Sequence, residues 1–365
     1  MYIITKKIMK NIHLIIITSI ISALFLSACS ESSTGPESNN NGVLIDTVYY
    51  DTIQEAIDNA ENGDTLYLTE GVYAGDNNKY LSWDGNDKHL VITSFNYPEL
   101  TEETIIDCGG NGTAFELDYT HQNHSDVIRG ITIKNAGDDA WDCGMYLVDV
   151  SPRIANVYFE NCGWSALYCD DGNPIIDSCR FFFNKVAIYN DYDASPNIRT
   201  CWIEDNFESI FSRESASPYI INSLVANNEI GVHCLEDASA HLVNTTIANN
   251  NNWGVKILEP NTSSVKNTII WANETGLNTG TDSIYISHSC LQNYSEWSLI
   301  DSLDNIHDDP MFVGDGFYNI RHGSPCIDTG DNSFIENIES DLDGNPRISN
   351  YIIDMGAFEL QQGLE

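Results

Sequence analysis

The chain has 365 residues, with 54 Asp and Glu against 16 Lys and Arg, giving a formal net charge of −38 at pH 7. A surface that negative repels nucleic acid and anionic lipid, so neither is expected as a direct partner. None of the cysteines falls into a Cys and His spacing that suggests zinc.

Lys6, Lys7 and Lys10 precede an apolar run from Leu14 to Leu26, which has the size of a signal-peptide core and is too short to span a membrane. Leu26-Ser27-Ala28-Cys29 resembles a bacterial lipobox. That resemblance implies that residues 1–28 are a lipoprotein signal and that Cys29 is acylated, tying the protein to the cell envelope through a lipid anchor. Ser30 after the cysteine favours the outer membrane, where there is one. The alternative is an ordinary secretory signal with an incidental cysteine. Loss of the three signal lysines takes the formal charge from −38 to about −41. Residues 29–43, rich in Ser, Asn, Gly and Pro, read as a flexible tether.

Thr52-Ile53-Gln54-Glu55 predicts a helix start of the Thr-x-x-Glu type, with Ile53, Ala56, Ile57 and Ala60 on one face. Strand-like runs follow at 63–73 and 104–110. From Pro152 the chain repeats every 22 residues, at Pro174, Pro196, Pro218 and Ala240, with Ser263 one residue late. A short fixed period signals a solenoid. Ile154, Ile176, Ile198, Ile220, Leu242 and Val265 fill one inward column, and Phe159, Phe181, Ile203, Val225, Ile247 and Ile270 another. Asn184, Asn206, Asn228, Asn250 and Asn273 form an amide column at one bend, able to bond coil to coil. Each coil holds about three short strands, and coils lie about 4.8 Å apart.

These columns and the Asn ladder resemble the pectate-lyase-like superfamily over roughly residues 44–300. The resemblance implies an all-β fold, a single-stranded right-handed parallel β-helix with an N-terminal capping helix. Cys179 and Cys201 share one repeat position on neighbouring coils, close enough for a disulfide, or for a pair of small buried hydrophobes. Ser324-Pro325-Cys326-Ile327-Asp328, Asp341-Leu342-Asp343-Gly344 and Asp354-Met355-Gly356-Ala357-Phe358-Glu359 resemble a choice-of-anchor Q module, implying a C-terminal capping module over 301–365. The sequence ends at Glu365 without a sorting anchor, which directs the expected attachment to the other terminus.

Three features are candidate sites. Asp149, Asp170, Asp171, Asp193, Glu214, Glu236, Asp237 and Glu259 stand three or four residues before the coil starts, an acidic column that is either a solvated edge or a cation site. Just upstream, outward positions read as Leu167, Tyr189, Phe211, His233 and Lys256, then Cys169, Asp191, Arg213 and Leu235. Aromatics at coil spacing suit stacking of sugar rings, with Asp171, Asp193 and Asp237 bonding hydroxyls; the alternative is an ordinary aromatic ladder. The coil before Pro152 carries about four extra residues, placed at Gly137–Cys143. There Trp141 joins the glycan-binding candidates, and Asp138, Asp139 and Asp142 are calcium candidates, as are Asp341, Asp343 and Asp354.

A lyase of this superfamily would use a basic residue beside calcium, and Arg213 with Asp191, Glu214 and His233 is the constellation of that type. The acidic balance weighs against uronic-acid polymers unless calcium bridges the charges. The leading expectation is a lipid-anchored β-helix that binds polysaccharide or surface glycan. A polysaccharide lyase or glycoside hydrolase is the alternative, and a stalk without a ligand the third.

Overall fold

The computed structural model describes residues 42–83, 88–98, 101–118, 125–258, 262–280, 284–292, 300–314, 316–335 and 338–361. The expected signal, Cys29 and nearly all of the tether, and also Glu259, lie outside the described residues. Within them the chain winds into parallel coils whose strands stack in three sheets of 13, 10 and 8 strands, here called sheets I, II and III. Each repeating coil contributes one short strand to each sheet in turn, as Ile175–Asp177, Arg180–Phe182 and Val186–Asp191 illustrate.

The 22-residue period is the length of one coil. Ile154 pairs with Ile176, Ile176 with Ile198, and Ile198 with Ile220 in sheet I. Phe159, Phe181, Ile203 and Val225 pair likewise in sheet II. All are fully buried, and the rings of Phe159 and Phe181 stack 4.7 Å apart inside the rod. Ile133 pairs with Phe159, a step of four more than the period, and Met145 regains it by pairing with Leu167; the insertion therefore falls across Gly137–Cys143.

The bends from sheet I to II and from sheet II to III are made by single residues in the left-handed region, many of them Asn. Asn156, Asn222, Asn244 and Asn267 have positive φ between sheets I and II, as do Asn135, Asn161, Asn227 and Asn249 between sheets II and III. Asn tolerates this conformation better than other non-glycine residues. The residue after each bend points inward. In the second bend that residue is the Asn ladder: Asn206 Oδ1 accepts from Asn184 N at 2.9 Å and Nδ2 at 3.0 Å, and Asn206 Nδ2 donates to Asn228 Oδ1. Cys162 N opens the ladder and Gln292 Oε1 closes it. In the first bend Cys179 and Cys201 are buried free thiols, followed by a hydroxyl ladder in which Cys201 N donates to Ser223 Oγ and Thr268 N to Ser289 Oγ.

At the N-terminal end a helix, α1 (Ile53–Asn59), buries Ile53, Ala56 and Ile57, and the Thr52 side chain accepts from Glu55 N. Two strands, Val43–Ile45 and Val48–Tyr50, add to sheet I antiparallel, which the repeat gave no reason to expect.

The C-terminal segment packs alongside the coils. Beyond a last sheet I strand at Ile300–Leu303, the chain runs against the outer flank of sheet II. Tyr318, Leu342, Ala357 and Phe358 pack on Leu224, Ala226, Ala248 and Trp202. Polar bonds fix the register: Asn267 Nδ2 donates to Asp331 O, Ala357 N to Thr246 Oγ1, and Tyr318 OH to Asn227 Oδ1. The physical reason is that sheet II carries apolar residues on its outward side here, which a solvated flank would leave exposed.

Candidate functional site

Strands of sheet III turn alternate side chains into the rod and out of it. Met145, Leu167, Ile188, Ile210 and Val232 point inward, in register and fully buried. Leu167 and Cys169, expected on the outside, are therefore corrected to the interior. The cause is a local slip: Leu167 pairs with Ile188 and Asp170 with Asp191, one residue short of the period, and the bend at Tyr192 restores the count.

With the slip included, the outward file reads Tyr146, Tyr168, Tyr189, Phe211, His233 and Lys256. Each ring meets the next. Tyr146 and Tyr168 stack with centroids 5.1 Å apart and planes at 7°, and Tyr168–Tyr189, Tyr189–Phe211 and Phe211–His233 follow at 5.3, 4.8 and 5.3 Å. Such contacts contribute about 0.5–1.5 kcal/mol each beyond area burial. Two tryptophans widen the surface: Trp164 stacks on Tyr189 at 5.4 Å, and Trp141 touches Tyr146, Trp164 and Tyr168.

The inserted loop is built to present Trp141. Trp141 has φ +79°, a strained conformation for a bulky side chain. Its carbonyl accepts from Thr113 Oγ1, while Asp142 Oδ2 accepts from Gly112 N at 3.0 Å. Trp141 thus lies against the coil and is still 53% exposed; Tyr168 beneath it is 1% exposed. Trp164, Tyr146, Tyr189 and Phe211 are half-buried, so one continuous face of rings meets solvent.

Beside the rings runs a charged file, Asp170, Asp191 and Arg213. Tyr168 OH donates to Asp191 Oδ2 at 3.0 Å and to Asp170 Oδ2 at 3.3 Å. Arg213 donates from Nε to Asp191 Oδ1 at 2.9 Å and from Nη2 to Oδ2 at 2.8 Å, with Glu214 3.9 Å away. A bidentate pair of this kind is strong and directional. Burial, then Asp171 and Asp191, push the Asp170 carboxyl up to about 6. Burial and the same carboxylates, Asp191 and Asp170, push the Tyr168 phenol well above its ordinary value. The Asp191 hydrogen bonds hold the Arg213 proton more firmly than in free arginine, which is opposed to proton abstraction.

Of the expected catalytic constellation, the structure gathers Arg213, Asp191 and Glu214. His233 turns to a different partner: its Nδ1 lies 2.5 Å from Glu208 Oε1, and its Nε2 is buried with no hydrogen-bond partner among the described residues. The acidic column also divides. Asp170 belongs to the strand, whereas Asp149, Asp171, Glu214, Glu236 and Asp237 occupy left-handed bend positions. Asp171, Asp193 and Asp237 are exposed, and Asp193 N donates to Asp171 Oδ1.

Among the described residues no three or more His, Cys, Asp or Glu side chains come together as a metal-holding group. Asp138 and Asp139 are exposed, and Asp142 accepts from Gly112 N of the preceding coil. Asp341 accepts from Asp343 N, Asn345 N and Glu359 N, and Asp354 from Asp328 N and Leu360 N. Asp343 accepts from Asn319. Asp142, Asp341 and Asp354 thus accept from backbone N–H groups, and Asp343 from a side-chain amide.

Tyr146, Trp164 and Tyr168 escaped the sequence reading, although Tyr146 and Tyr168 stand one period apart. Next to the ring face, a groove of about 550 Å³ is lined by Asp107, Asn135, Asp138 and Asn161. Its amides are chained, Asn161 Nδ2 donating to Asn135 Oδ1 and Asn135 Nδ2 to Asp107 Oδ1. Asp138 and Gly163 of this groove precede Trp141 and Trp164 by three residues and one, so groove and ring face share a border.

No protein-family model matches the chain, and no curated protein matches it in sequence. Among solved structures it is similar to pectate lyase Pel9A, with a TM-score of 0.61 at 13% identity, over 84% of this chain and 90% of that one. Lower similarity is found to XylC in complex with xylose, with a TM-score of 0.47 at 10% identity over 81% and 65% of the two chains. A Geobacillus virus E2 protein, ORF18, scores 0.43 at 14% identity over 70% and 54%. The first likeness shows the fold, a pectate-lyase-like parallel β-helix.

Proposed function

We propose that the ring face of sheet III binds polysaccharide, on a protein held by lipid at Cys29 in the bacterial cell envelope. One observation carries this reading: Trp141, Trp164, Tyr146, Tyr189 and Phe211 form a continuous, half-exposed aromatic surface along the coils. Aromatic faces offer an apolar platform for the C–H faces of pyranose rings, and nearby polar groups fix orientation through hydroxyls. Asp170 beside the rings and Asp138 with Asn161 in the adjoining groove supply those groups. Because the charged residues here are mainly acidic, and Arg213 is already neutralised by Asp191, a neutral glycan is favoured over a uronate polymer.

Binding to a glycan array tests the reading. Tyr189→Ala or Phe211→Ala should abolish the hits or weaken them several-fold, since an aromatic contact is worth about 1 kcal/mol and about 1.4 kcal/mol is tenfold in affinity. Unchanged binding in both variants removes the ring face from the site, and no hits at all leaves a stalk.

A glycoside hydrolase is the second reading, and the carboxyl of Asp170 favours it. Held up to about 6, it stands beside Asp191, which is buried and paired with Arg213. A carboxyl group raised toward neutral pH is what the acid of such hydrolysis needs. Release of reducing ends from a neutral polysaccharide, lost in Asp170→Asn, would establish it; a lyase has less support, because Arg213 is held protonated.

A further inference from the structure

Cys290 and Cys326 meet where the C-terminal segment leaves the solenoid. Cys290 sits in the last strand of sheet II, Cys290–Leu291, and Cys326 in the loop that docks on it. Both are fully buried in one small apolar cluster with Ile269, Ile320 and Met355. The two side chains share that cluster, and Cys290 Sγ also donates to Asp308 O at 3.3 Å. Around them the backbone is fixed on both sides: Cys290 N donates to Thr268 O at 2.9 Å, and Met355 N to Cys326 O at 3.0 Å.

We propose that Cys290 and Cys326 are a modification site, joined in the mature protein by a disulfide that clamps the C-terminal segment to the flank of the rod. Each thiol loses a hydrogen, an S–S bond forms, and the two electrons and two protons pass to a disulfide oxidant, which leaves as its dithiol. Cys179 and Cys201 are also neighbours, yet they link coils already joined by strand pairing and the hydroxyl ladder. The Cys290–Cys326 bond instead closes a long loop and fastens an element that has only its flank contacts to hold it, where a cross-link restricts the unfolded chain most. In the folded protein the Cys290 thiol is held protonated by its contact with Cys326 and by burial. Both sulfurs are fully buried, so reductant cannot reach the bond once it has formed.

The full chain, folded in a buffer of reduced and oxidised glutathione, is denatured, alkylated and digested for peptide mass mapping. The expected result is a linked peptide joining Cys290 to Cys326, with the other described cysteines alkylated. Melting with and without prior reduction under denaturing conditions gives a second readout: the wild type should lose several degrees, and Cys326→Ser should show no difference. Alkylation of both Cys290 and Cys326 in the folded, oxidised wild type overturns the proposal, as does a wild-type melting point indifferent to reduction. Neither readout depends on glycan binding, so the clamp and the ring face stand or fall separately.

Discussion

Asn206 shows how one residue type serves this rod. Its side chain accepts from Asn184 N and Nδ2 and donates to Phe181 O, Glu204 O and Asn228 Oδ1. Replacing it with alanine leaves the buried Asn184 N–H unpaired and breaks the ladder in both directions. Unsatisfied buried groups cost about 1–3 kcal/mol each, so Asn206→Ala should lose about 2–4 kcal/mol in urea unfolding. A loss under about 1 kcal/mol would mean that water replaces the ladder freely. This column was legible in the sequence because its spacing stays regular. The outward file was less so: one residue missing between Leu167 and Ile188 moves Tyr168 to the position that counting assigns to Leu167. A period of 2 along a strand turns a single slip into a reversal of faces, and only inward packing of Leu167 reveals it.

Among elements, the capping helix and the inserted loop were readable from local patterns, because a cap and a break in period need no partner to be seen. The flank docking of the C-terminal segment was not, since it depends on which outward face of the coils is apolar. Its core holds a buried charge cluster. Arg347 Nη1 lies 3.3 Å from Glu359 Oε2, and Glu359 also accepts from Ser349 N and Asp354 N. Asp341 and Asp354 also act electrostatically on Arg347, with Asp328 beside Asp354. Burial and then Asp354 outweigh Arg347 and push the Glu359 carboxyl up to about 7. A carboxyl raised in the folded state binds more protons there than in the unfolded chain, so its contribution to stability falls as pH rises. The window runs from about 4.5, its unfolded value, to about 7. Hydrogen exchange over residues 338–361 should therefore quicken from pH 5 to pH 8, after correction for intrinsic rates. Glu359→Gln should flatten that dependence even if it lowers protection overall. Protection that rises with pH would reverse the assignment.

At the scale of the whole molecule, a chain with a formal net charge of −38 presents one extended aromatic face on its coils amid an excess of carboxylates. The fold is shared with a pectate lyase, but fold alone does not choose a ligand. The proposed ligand is a polymer that is hydroxyl-rich and uncharged, which suits rings set among carboxylates. The most direct test is affinity electrophoresis of the intact protein in gels carrying neutral or uronic-acid polysaccharides, each with and without calcium. At least one neutral polymer should retard the protein regardless of calcium, with little response to salt, since long-range repulsion is screened and stacking is not. Retardation by uronate polymers alone, and only with calcium, would contradict the account.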